Sequence, residues 1–234
     1  MNTQFPPTQL PSQVGVRPSA ALQAAFLTQA FMWMFAGLLL TAGVAFLAQS
    51  STALLSFTRD AFLLVMLAQI GLVVVISAAI NRIGATVALG LFFIYAATLG
   101  LTVGLIVQLY TGASVATAFL SASAMYGAAA LYGATTKRSL TGMGGYLTMG
   151  VIGLIVASVV NVFFPTGPLG FAISIIGVVL FTALTAYDVQ RISSGDLAAR
   201  YNSMEKAAVI GALQLYLDFI NLFLFMLRLL GDRR

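Results

Sequence analysis

The chain has no cysteine and no histidine. Disulfide staples are therefore excluded, as are thiol and imidazole metal ligands and the acid–base chemistry histidine performs near neutral pH. Charge is scarce too. Asp, Glu, Lys and Arg make up 7% of the 234 residues, whereas 60% are hydrophobic; a soluble domain carries about 25% charged residues. So few charges cannot cover a surface that faces water, so most of the surface must face something apolar. A soluble enzyme is ruled out, no catalytic role is expected, and no cofactor is implied. The net charge of +5 does not point to nucleic acid as a partner, because the basic residues lie scattered in the breaks between apolar runs and form no patch. No charge-rich or Gly/Ser-rich linker divides the chain, and its length suits one domain.

Residues 1–20 are polar, hold Pro6, Pro7, Pro11 and Pro18, and show no period; they read as a disordered tail. No basic segment precedes a short apolar stretch near the start, so no signal peptide is expected. Residues 21–234 read as a single transmembrane domain. Apolar runs of bilayer-crossing length fall at 26–48, 61–81, 85–109, 113–134, 145–164, 168–190 and 206–230. Between them lie the polar and helix-stopping groups: Gln49-Ser50-Ser51, Arg59-Asp60, Asn81-Arg82, Tyr110-Thr111-Gly112, Lys137-Arg138, Pro165-Thr166-Gly167-Pro168 and 191–205. An open sheet is not available in lipid, and the alternation a barrel needs is absent. The fold expected is all-α and integral to the membrane, with about seven spanning helices in a lipid bilayer. No internal repeat is visible, which argues against an inverted-repeat transporter. The spacings Gly153/Ala157 and Gly127/Ala130 suggest places where helix backbones approach closely.

Lys and Arg concentrate on the cytoplasmic side of membrane proteins. With the N-terminus inside, the inner segments hold Arg17, Arg82, Lys137, Arg138, Arg191, Arg200 and Lys206, and the outer loops hold only Arg59. A seventh full crossing would leave Arg228, Arg233 and Arg234 outside. Either the last helix crosses against the rule or it re-enters and returns; the full crossing is favoured.

Of six acidic residues, Asp60, Asp196, Glu205 and Asp232 fall in loops or tails. Asp188 and Asp218 do not. An ionised carboxylate at the centre of a spanning helix costs about 2.5–3.5 kcal/mol or more on insertion scales, so such a residue faces the bundle interior and is a functional candidate. Gly211, Gln214, Asp218 and Asn221 recur at three- and four-residue spacing and stack on one side of the last helix. Hydrogen-bond glue between helices explains such a stripe equally simply, although amides alone would serve for that. Around Asp188, Thr185 and Arg191 lie three positions to either side, with Tyr187 adjacent. Arg82 ends the second span at the same membrane level as the end of the sixth, so an Arg82–Asp188 pair is geometrically open, as is a simple flanking charge. Two carboxyls brought together cannot both ionise cheaply and would share a proton. Such a pair is a pH sensor built without histidine. One geometric difficulty stands: Asp218 lies about 18 Å along its helix from residue 206, while Asp188 is near a helix end. Contact requires the seventh helix to start later, or the sixth to end deeper, than these boundaries imply.

The run Gly211-Ala212-Leu213-Gln214-Leu215-Tyr216-Leu217-Asp218-Phe219-Ile220-Asn221-Leu222-Phe223-Leu224 resembles the signature of the Bax inhibitor-1 family, as does Ala186-Tyr187-Asp188-Val189-Gln190-Arg191-Ile192. Further similarity runs through Tyr132-Gly133-Ala134-Thr135-Thr136-Lys137 and Asn81-Arg82-Ile83, and spans nearly everything beyond the tail. The resemblance implies seven helices with the last wrapped by the other six, and a bacterial inner-membrane protein, whose N-terminus the Lys and Arg count above puts in the cytoplasm. It implies a pH-sensitive calcium leak in which Asp188 and Asp218 are the paired sensor and line the Ca²⁺ path, Arg82 is their arginine partner, and acid enhances the leak. Gln214, Asn221, Thr185 and Tyr187 would support the pair. One departure matters: many relatives carry Glu in the second helix where this chain has Gln69, which bears on how strongly cations are attracted.

Three functions compete on these residues. The first is the proton-regulated cation leak, with oxygen ligands suited to Ca²⁺. The second is a non-conducting modulator of a membrane protease or another membrane protein in a stress or cell-death response. The third is an intramembrane aspartyl protease, but the Gly-x-Gly-Asp around the second acid and the later Pro-Ala-Leu of those enzymes are missing here.

Overall fold

The computed structural model of the protein describes residues 20–201 and 203–233; nearly all of the tail expected at 1–20 lies outside them. The elements are α1 (Ala20–Gln49), α2 (Thr52–Asp60), α3 (Phe62–Ala79), α4 (Ala85–Val107), α5 (Gly112–Thr135), a 3₁₀ turn at Thr141–Met143, α6 (Gly144–Phe163), α7 (Gly167–Ser193), α8 (Asp196–Tyr201) and α9 (Met204–Leu230). Seven of the helices, α1, α3, α4, α5, α6, α7 and α9, are long and apolar enough to cross a membrane. Among the described residues there is no β-strand, only an isolated bridge between Tyr110 and Arg233. The fold is an all-α transmembrane bundle.

The helix the sequence did not announce is α2. Ser51 caps it, its side chain accepting from the Leu54 backbone N–H, which satisfies one of the free donors at a helix start. Nine residues are too few to span a bilayer. Leu55 and Thr58 turn inward while Leu54 and Phe57 stay exposed, so α2 lies as a short amphipathic link between α1 and α3.

At the centre stands α9. In its most apolar stretch 72% of residues are buried, against at most 44% in any other span, and it packs on α1, α4, α5, α7 and α8. Aromatic rings collar it: Phe92 and Tyr95 meet Tyr216 edge-on, and Phe119 and Tyr126 meet Phe219 the same way. The question of crossing or re-entry at the C-terminus is settled by its contacts. Lys206 Nζ donates to the Asn81 carbonyl at one end of the bundle. Beyond the other end of α9, Asp232 N–H donates to Ser114 Oγ, and Thr111 N–H donates to the Asp232 carbonyl. The helix therefore runs the full way across, and its end is clasped to the α4–α5 turn.

Close helix approach falls elsewhere than at Gly127 and Gly153. Both face open space, with nothing within 4 Å of where a Cβ would stand; they point outward. The tight contacts use Gly100 and Gly104, which let α4 lie against the Thr41 and Ala45 carbonyls of α1, and Gly133, where the Ala186 carbonyl of α7 occupies the Cβ position. Polar side chains add cross-links. Gln69 Nε2 donates to the Thr98 carbonyl and to Thr102 Oγ1, tying α3 to α4. Thr41 Oγ1 has one proton, reaching the Gly37 or Ala96 carbonyl, so Tyr216 donates its hydroxyl to Thr41 at 2.6 Å. Thr41→Val leaves the Tyr216 hydroxyl buried without a partner and is expected to cost about 1–3 kcal/mol, whereas Tyr216→Phe removes one bond at about 1 kcal/mol. Denaturation midpoints in detergent micelles should rank Thr41→Val below Tyr216→Phe, and the reverse order would refute this hydrogen-bond assignment.

Candidate functional site

The two interior acids meet. The side chains of Asp188 on α7 and Asp218 on α9 lie within hydrogen-bonding reach of each other, and both are buried, 6% and 4% exposed. Hydrogen bonding between two carboxyls requires a proton on one of them. The register that allows this follows from Ile192 packing on Gly211. Ser193, the last residue of α7, is then level with about Ile210, so α7 ends about 9 Å deeper than α9 begins. Asp188 is level with about Leu215, less than one turn from Asp218. The sixth spanning helix thus ends deeper than its apolar limits suggest, and α8 leads back out along α9 with Leu197 buried. Gly133 makes this possible on the other side, since α5 touches the α7 backbone two residues before Asp188.

Arg82 does not join the pair. It is exposed in the turn after α3, and among the described residues it forms no ion pair. The reason is depth: the adjoining Asn81 carbonyl is held by Lys206, about 13 Å along α9 from the level of Asp188. The cation near Asp188 in the chain is Arg191, three positions along its own helix. The supporting residues divide. Thr185 is fully buried and its hydroxyl donates to its own helix at the Phe181 carbonyl. Asn221 likewise bonds the Leu217 carbonyl of its own helix, so it is not glue between helices. Tyr187 turns away, its hydroxyl against Gly144. Gln214 stays with the site: its Oε1, like Asp218 Oδ2, is buried with no hydrogen-bond partner among the described residues. These two atoms lie one turn apart on the same stripe.

Sequence reading missed Tyr126. Its hydroxyl donates toward Met34 Sδ and the Leu215 carbonyl at 3.1 and 3.3 Å, close enough to both carboxyls to feel their charge. A tyrosine amid small residues on an apolar helix carries no signal of its own; only the packing of α5 on α9 reveals it. Two cavities flank the pair. One, of about 380 Å³, is apolar and lies towards the C-terminal end, lined by Thr41, Gln49, Phe219 and Ile220 among others. The other, of about 510 Å³, is polar and lies at the opposite end, where Tyr187, Gln190 and Arg191 line it. Among the described residues no three acidic side chains converge on a metal site. Two carboxyls and one amide oxygen are too few for the six to eight ligands of a resident Ca²⁺.

A family profile described as "Inhibitor of apoptosis-promoting Bax1" matches residues 23–234. The chain belongs to the Bax inhibitor-1 family. It is 45% identical over 225 residues to the inner membrane protein YbhL of Escherichia coli strain K12, covering 94% of this chain and 96% of that one. It is 44% identical to an uncharacterized protein of Borreliella burgdorferi, over 89% of this chain and 92% of that one, and 42% identical to an uncharacterized protein of Deinococcus radiodurans, over 89% and 90%. The family match covers both acids of the pair, Tyr126, Gly133 and the C-terminal clasp.

Proposed function

We propose that the protein is a pH-sensitive leak for cations, Ca²⁺ foremost, in the inner membrane of a bacterium, with its N-terminus in the cytoplasm and the Asp188–Asp218 pair as its proton-operated gate. The observation that carries this reading is a carboxyl–carboxyl contact buried at the middle of a membrane bundle. For hydrogen-bond glue an amide would serve at lower cost. One cavity lies on each side of the pair along the bundle, and Gln214 Oε1 with Asp218 Oδ2 offers oxygen to a passing cation or water. Protonating or deprotonating the pair changes whether the two helices attract or repel at this point, which gives the two-state element a gate needs. With Gln69 engaged between α3 and α4, the second span brings no carboxylate of its own to the path.

The test is flux. Purified protein in liposomes with trapped Ca²⁺ dye should admit Ca²⁺ at a rate that varies across about pH 5–8, faster on the acid side. Absence of any leak from folded protein at every pH would overturn the reading. The modulator of a membrane protease or another membrane protein would then take its place, to be sought by pull-down.

A further inference from the structure

The turn from α5 to α6 reads Thr136-Lys137-Arg138-Ser139-Leu140-Thr141, dibasic and rich in hydroxyls. Basic residues beside a span are ordinary. What is unusual is how firmly this turn is held. Gln190 of α7 grips it at two points: its Oε1 accepts from the Leu140 N–H at 2.7 Å, and its Nε2 donates to the Arg138 carbonyl at 2.8 Å. Thr136 Oγ1 accepts from the Arg138 N–H, and Ser139 and Thr141 hydrogen-bond each other. Between this fixed turn and the end of α7 lies the polar cavity of about 510 Å³, a volume within the range of small-molecule sites. Lys137, Arg138 and Arg191 line it against a single carboxylate, Asp196, and among the described residues none of the three cations is in an ion pair. Thr136, accepting rather than donating in its backbone bond, keeps its hydroxyl proton for a guest.

We propose that this cavity is a binding site for a phosphate-bearing anion, held by Lys137, Arg138 and Arg191 with Thr136 as a hydroxyl donor. Three cations and a free hydroxyl match the oxygen-rich, multiply charged surface of a phosphate, and guanidinium groups bind it in two-pronged fashion. The cavity opens at the end of the spans, where Lys137 and Arg138 are exposed, so the phosphate comes either from an anionic phospholipid or from solution. Arg191 belongs to both places: it lines the cavity and acts on Asp188 one turn deeper. An occupant that draws its guanidinium outward changes the charge the carboxyl pair faces. Binding stands on the cavity alone, and only its consequence for flux rests on the leak reading above.

The experiment measures binding without flux. Full-length protein in uncharged detergent is titrated with inorganic phosphate by calorimetry, and protein in phosphatidylcholine nanodiscs, with and without phosphatidylglycerol, is examined by native mass spectrometry for retained lipid. Lys137→Gln and Arg138→Gln should each weaken the binding about tenfold, while Arg200→Gln, an exposed basic residue outside the cavity, should leave it unchanged. Phosphate binding without phosphatidylglycerol retention supports the site with a soluble source, and the converse supports it with a lipid source. No binding of either probe, or equal weakening by Arg200→Gln, overturns the proposal. Unfolding midpoints of the variants guard against loss of fold.

Discussion

Asparagine in place of either carboxyl of the pair is expected to abolish most of the response of the leak to pH. The contact between Asp188 and Asp218 needs a proton; an asparagine amide brings donors that no base in this range removes. Each variant therefore stays in the proton-bearing arrangement throughout. Since acid is expected to enhance the leak, Asp188→Asn and Asp218→Asn should conduct at the alkaline end at the rate wild type reaches only at the acid end. A switch of one proton changes its population by up to about tenfold per pH unit, so an excess over wild type of about tenfold is expected at about pH 8. Folded variants that keep the full wild-type pH profile would assign the switch to some other group.

The second large effect is on stability, and it compares two glycines of one helix. At Gly133 the Ala186 carbonyl fills the place of a side chain; at Gly127 nothing stands within 4 Å. Gly133→Ala must push backbone from backbone, and neither helix can yield as a flexible side chain would. Overpacking of this kind costs about 1–3 kcal/mol, more where backbone must shift, and the strain lands two residues from Asp188. Gly127→Ala should be neutral or better, since alanine is favoured over glycine in a helix by about 1 kcal/mol. Thermal unfolding in micelles should show a lowered midpoint for Gly133→Ala and an unchanged or raised one for Gly127→Ala. Equal midpoints would mean that α5 and α7 are not in the backbone contact described.

The number of spans and the two acids were legible because each rests on a strong local signal, a run of about 20 apolar residues or a charge inside one. The partnership of the acids was legible only through the motifs that resemble the Bax inhibitor-1 family; helix lengths alone put Asp188 and Asp218 at different depths. What resolves the conflict is the register of Ile192 on Gly211, a packing fact that no one-dimensional pattern contains. Arg82 was named a partner only by that same resemblance, its place at a helix end leaving the pairing open, and its depth and exposure belong equally to three dimensions. The same holds for glycine. Spacing marks Gly127 and Gly153 as well as it marks Gly100 and Gly104, and only the neighbours decide which pair is used. Gln190 gave no sign of itself because an amide near a helix end is unremarkable until the turn it grips, 50 residues earlier, is in place.

The burial of α9 has a consequence for how the protein is made. The helix that carries Asp218 and fills the middle of the bundle is made after the other six spans, and its end must also reach the α4–α5 turn. Until it is made, the earlier spans surround a space with no native occupant, and Asp188 waits there without its partner. The decisive step of assembly therefore waits for the seventh span. A ribosome stalled within α9 would leave in the membrane a chain with nearly every span inserted and no core.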